Sequence, residues 1–114
     1  MRKLILFFSL FVLFGCQNKQ AKLNIPPSKN AASYLALGDS YTIGEQVEQE
    51  QRWPVQLAAA LNEKGITMED PLIIAKTGWT TDELMNAIIA ADLKKTFDYV
   101  SLLIGVNNQY RGRS

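Results

Sequence analysis

Four apolar runs mark the chain, separated by polar and turn-forming residues: 4–14, 34–37, 72–75 and 99–104. The last three are too short and too uniformly apolar to be amphipathic helices, and they predict buried strands. Between them the periodicity turns helical. Trp53-Pro54 opens a helix in whose first turn proline is tolerated, with Leu57, Ala58 and Leu61 on one apolar face and Gly65 after Lys64 as its stop. Thr80-Thr81-Asp82-Glu83 has the form of a capping box, with Thr80 as N-cap and Glu83 reaching back. The helix it opens places Leu84, Ala87, Ile88 and Ala91 on one face. Residues 38–44 read as a turn and the charged residues 45–52 as a loop.

Strand, helix, strand, helix, strand is the order of an α/β fold with a parallel sheet and right-handed crossovers. Strands apolar along their whole length are expected to be covered on both faces. Parallel strands put their C-terminal ends on one rim, where open α/β sheets bind ligands. Three segments gather there: Gly38-Asp39-Ser40, Thr77-Gly78-Trp79 and Gly105-Val106-Asn107. If the first strand lies between the other two, the second and third segments flank Ser40. A hydroxyl, a backbone N–H in a glycine turn and a carboxamide then face one point. Those are the parts for acyl transfer, a nucleophile with donors for an oxyanion.

Composition narrows the choice of chemistry. A chain of 114 residues suffices for one small domain, and 47% apolar with 20% charged residues is an ordinary globular balance. A net charge of +1 gives no basis for a nucleic-acid partner. There is no histidine, which removes the commonest general base and the commonest metal ligand. Cys16 is the single cysteine, so neither an internal disulfide nor a thiolate metal site can form, and nothing implies a cofactor.

The first apolar run has a different meaning from the others. Arg2 and Lys3 precede it, Gly15 follows it, and its length is too short to cross a hydrocarbon core of roughly 30 Å. It reads as a secretory signal, residues 1–15. Leu13-Phe14-Gly15-Cys16 resembles the lipobox of bacterial lipoproteins, which implies that Cys16 becomes the lipidated first residue of the mature protein. Phe14 is bulkier than the residue usual at that position. Loss of Arg2 and Lys3 from the 12 basic residues leaves 10 against 11 acidic ones. Residues 16–33, polar and containing Pro26-Pro27, read as a tether of at most roughly 50 Å. The expected location is the bacterial cell envelope, lipid-anchored to a membrane, with residues 34–114 as the folded part.

Two phosphate motifs fail on spacing. Residues 38–44 carry one residue too many between glycines for a P-loop, and Glu45 stands where lysine is needed. The middle glycine of the dinucleotide fingerprint is also missing. Thr42 occupies the glycine position of the α/β-hydrolase nucleophile elbow. What the residues do resemble is the SGNH hydrolase superfamily, also called GDSL esterases and lipases. Gly38-Asp39-Ser40-Tyr41 matches its first block, Gly78 the glycine of its second, and Gly105-Val106-Asn107-Asn108 its third, usually Gly-x-Asn-Asp. The resemblance covers residues 33–114. It implies a flavodoxin-like three-layer parallel sheet and hydrolysis of small ester, thioester or other acyl substrates. Carried over by position, Ser40 is the nucleophile, and its own N–H, the Gly78 N–H and the Asn107 side chain form the oxyanion hole. Asn108 departs from the family's aspartate, and Asp39 is expected to be structural. Trp53 and Trp79 read as packing anchors, with Trp79 also placed to line an acyl pocket.

The family's base is a histidine in an Asp-x-x-His block near the C-terminus, and no such block occurs in these residues. The expectation is therefore the N-terminal part of a hydrolase domain, inactive or nearly so on its own. A non-catalytic, membrane-anchored acyl- or glycan-binding lipoprotein is the competing reading.

Overall fold

The computed structural model describes residues 31–113, and its three strands follow the three short apolar runs. The elements are β1 (Tyr34–Gly38), α1 (Ser40–Ile43), a 3-10 turn (Gln49–Gln51), α2 (Trp53–Glu63), β2 (Leu72–Ala75), α3 (Thr81–Ala91), β3 (Tyr99–Leu103) and α4 (Val106–Tyr110). All pairing is parallel, in the order β2-β1-β3. β1 is thus the central strand, with Leu35 opposite Leu72 on one side and Val100 on the other.

Alternation along β1 divides the core in two. Tyr34 and Ala36 face α2 and form one cluster with Ala58 and Met68, against which Trp53, Leu61 and Ile73 pack. Leu35 and Leu37 face α3 and join Leu84, with Ile74, Trp79 and Ile88 alongside. Each fully buried leucine contributes roughly 1.5–3 kcal/mol by leaving water. The helices meet the sheet as their sequences require. α3 starts at the expected N-cap, where the Glu83 carboxylate accepts from the Thr80 N–H at 2.8 Å and from its hydroxyl at 2.9 Å. α2 carries its proline in the first turn and ends at Lys64 before Gly65, whose φ is +81°.

Several expectations need correction. Coverage on both faces holds for β1, but β3 exposes Tyr99, Val100, Leu102 and Leu103 by 48–64%. Among the described residues no helix or strand lies over that side of the sheet, so its apolar character is not used for burial there. On α2 the inward positions are Pro54, Ala58 and Leu61, while Leu57 is exposed, because it lies one helical step (about 100°) from Ala58. Ala91 is exposed at the last turn of α3. The expected turn at 38–44 is largely the helix α1, and the expected loop at 45–52 contains the 3-10 turn.

The signal, Cys16 and the tether up to residue 30 lie outside the described residues. The last residues of the expected tether are held in the fold. Ala32 bridges to Met68, and Ser33 donates its N–H and its hydroxyl to the Asp98 carboxylate, each at 2.8 Å. Those bonds hold the Asp98 carboxyl below its ordinary range, the backbone N–H of Ser33 being the largest cause.

Candidate active site at the C-terminal rim of the sheet

The chain leaves β1 through Gly38, where only glycine fits. A Cβ there would overlap the Thr42 hydroxyl and stand 2.5 Å from the Leu103 carbonyl oxygen. Thr42 is itself fully buried, so it cannot move aside. Asp39 follows, 1% exposed, and caps α1 by accepting from the Tyr41 N–H at 3.1 Å. Its backbone carbonyl takes the Thr42 and Ile43 N–H groups. This is the structural role expected of Asp39. It also settles who caps the helix: Ser40 is the first helical residue, not the N-cap. Among the described residues neither the Ser40 hydroxyl nor its N–H has a hydrogen-bond partner.

The β2–α3 loop carries Gly78 on one flank of Ser40, and α4 carries Asn107 on the other, as the sheet order dictates. Neighbouring strands lie about 4.8 Å apart, which sets the scale of the rim. Gly78 has φ +82°, a conformation that glycine adopts without strain. Its N–H, too, has no acceptor among the described residues. Asn107 donates from Nδ2 to the Trp79 carbonyl at 2.9 Å. A carboxamide nitrogen has two protons, so this bond orients the side chain and leaves a second donor.

Further contacts hold the rim in register. The Thr77 hydroxyl donates to the Glu45 carboxylate, joining the loop after β2 to the one after α1. Asn108 accepts the Thr81 N–H through Oδ1 and donates to the Thr81 hydroxyl through Nδ2, both at 2.9 Å. An aspartate at 108 could make the same two contacts, with the Thr81 hydroxyl donating in the second. Arg113 pairs with Asp82 at 3.0 Å. The Thr80 hydroxyl, ahead of Arg113, holds the Asp82 carboxyl below its ordinary value.

A cavity of about 360 Å³ opens beside Ser40, with Tyr41, Gly44, Val47, Arg52 and Trp53 among its walls. Sequence reasoning did not assign this group. Trp53 and Trp79 both pack against the core, as expected of anchors, and of the two it is Trp53, not Trp79, that also lines this cavity. A larger cavity of about 450 Å³, between the 3-10 turn, α2 and the start of β2, does not include Ser40. Among the described residues no three potential ligand side chains cluster to hold a metal.

The fold is a three-layer α/β unit with Ser40 just past the end of its central strand, and comparison with known proteins gives the family. Residues 36–114 match the model of the GDSL-like lipase/acylhydrolase family, and the chain belongs to that family. Its fold is similar to that of AlinE4, a SGNH-hydrolase family esterase, with a TM-score of 0.65 and 22% identity over 76% of this chain. Two alanine mutants of AlinE4, one at an aspartate and one at a serine, match with the same TM-score at 22% and 21% identity. The chain spans 47% of the length of these structures. No curated protein matches it in sequence.

Proposed function

We propose that this chain carries the nucleophile and oxyanion hole of a serine ester hydrolase acting on carboxylic ester or thioester bonds. The observation that carries this reading is the sheet order β2-β1-β3, with Ser40 opening the helix that follows the central strand and N–H groups at Ser40 and Gly78 that have no acceptor among the described residues. In this mechanism the Ser40 hydroxyl attacks the acyl carbonyl. The carbonyl oxygen, as it gains charge, takes hydrogen bonds from the N–H groups of Ser40 and Gly78 and from the second Nδ2 proton of Asn107. Collapse expels the alcohol or thiol and leaves an acyl-serine, which water then hydrolyses. The Ser40 proton needs a base, and these 114 residues hold no histidine to supply it. Turnover therefore depends on a base from outside them. Without one, the residual rate comes from the oxyanion hole.

With protein expressed from its complete reading frame, p-nitrophenyl ester turnover should fall to background in Ser40→Ala. In Asn107→Ala it should fall on the order of a hundred- to a thousand-fold. Wild-type rates in both variants would remove the assignment. The competing reading is a binding lipoprotein that holds an acyl or glycan ligand at the same rim; absence of an Asp-x-x-His block from the complete reading frame would favour it. That reading predicts ligand retention without turnover, and Ser40→Ala should bind as wild type does. Anchoring rests on the lipobox resemblance at Cys16. Cys16→Ser should move the protein from the membrane pellet to the soluble fraction; continued sedimentation with membranes would refute the lipid anchor.

A further inference from the structure

We propose that Arg111 is a positioning residue that fixes the Gly78–Trp79 peptide, and through the Gly78 backbone dihedrals limits the direction of the Gly78 N–H; this rests on the reading of that N–H as an oxyanion donor. The loop from Lys76 to Thr80 has little support of its own. Its internal backbone bond, Trp79 N–H to the Lys76 carbonyl, is 3.2 Å long. Two consecutive carbonyls of the loop instead turn toward α4. Arg111 Nη2 donates to the Gly78 carbonyl at 2.9 Å, and Asn107 takes the next one, that of Trp79. Arg111 Nη1 meanwhile bonds both Glu83 carboxylate oxygens at 3.2 Å. Glu83 in turn holds the Thr80 N–H and hydroxyl. The guanidinium thus ties the middle of the loop to its end, where α3 begins.

Arginine is needed for this. Its planar fork presents donors to a carbonyl and a carboxylate at once, whereas an ammonium is a point charge without fixed directions. Glycine at positive φ has an alternative well at negative φ at little cost. Releasing the Gly78 carbonyl frees rotation about the Gly78 N–Cα bond, so that the two peptides flanking Gly78, and with them its N–H, lose their fixed relative orientation. The Arg111–Glu83 pair is substantially exposed, with side chains 43% and 36% accessible, so its share of global stability is small. α4 stays docked without it, through the two Asn108 bonds to Thr81 and the Arg113–Asp82 pair. Loss of Arg111 should therefore disturb one loop rather than the fold.

The test is amide NMR of the 15N-labelled chain as wild type, Arg111→Met and Arg111→Lys. Both variants should keep the dispersed spectrum of the fold, while the Gly78 and Trp79 signals shift and exchange of the Trp79 amide, bonded to the Lys76 carbonyl, rises at least about tenfold. Lysine, although cationic, should not restore the wild-type positions. Unmoved Gly78 and Trp79 signals in either folded variant would overturn the proposal. Ester turnover by the protein from its complete reading frame gives the functional arm: kcat should drop at least about tenfold with KM little changed. Wild type with no turnover would sink the hydrolase reading and leave the amide signals to decide the role of Arg111. Turnover lost with the amides unmoved would sink the positioning role alone.

Discussion

β1 and β3 are both five-residue apolar strands, Tyr-Leu-Ala-Leu-Gly and Tyr-Val-Ser-Leu-Leu, yet they have opposite surroundings. β1 is buried throughout, paired on both edges and covered by α2 on one face and α3 on the other. β3 is paired on one edge and exposes its apolar side chains on both faces. The difference bears on the site. Ser40 leaves a strand that the whole core holds in place. Asn107 leaves one that is half free, and its side chain takes its direction from the Trp79 carbonyl. The position of Ser40 comes from packing around β1, and that of the Asn107 side chain from a hydrogen bond across the rim.

The largest effect that can break this comparison lies in paired truncations. Leu35→Ala, in the α3-side core, should cost about 2–5 kcal/mol in denaturant unfolding. Leu102→Ala, at a side chain 64% exposed, should stay within about 0.5 kcal/mol. A cost at Leu102 equal to that at Leu35 would show that β3 is covered in solution, by other chain or by a second copy.

A smaller effect sharpens how β3 is tied at its start, where Asp98 holds Ser33. The Asp98 pKa is depressed in the fold, so its stabilisation is present above the unfolded value, ordinarily 3.8, and is lost as pH falls through the folded value. Asp98→Asn should lower Tm at pH 7, whereas near about pH 2 variant and wild type should coincide. An equal deficit at both pH values would refute the charge-assisted tie.

Much of this was legible in the sequence. The capping box at Thr80 and Glu83, the proline at the start of α2 and the three apolar runs each state a local preference that the fold keeps. Parallel order then followed from alternation, and the three rim segments from parallel order. Coverage was not legible, because an apolar strand records a need for partners and not their presence, as β3 shows. α1 was hidden for a different reason: four residues are too few for periodicity, and its one signal, Asp39 as a cap, also fits a turn. The cavity beside Ser40 draws Tyr41, Val47, Arg52 and Trp53 from separate stretches, and no spacing rule links them. No motif or spacing marks Arg111; only the fold sets it against the Gly78 carbonyl.

Covalent labelling tests the central claim, that Ser40 is a nucleophile facing an oxyanion hole, most directly. Protein from the complete reading frame would be treated with a fluorophosphonate, and the adduct mapped by peptide mass spectrometry. The account predicts one adduct, on Ser40, absent from Ser40→Ala. An adduct at another residue, or equal labelling of wild type and Ser40→Ala, would contradict it.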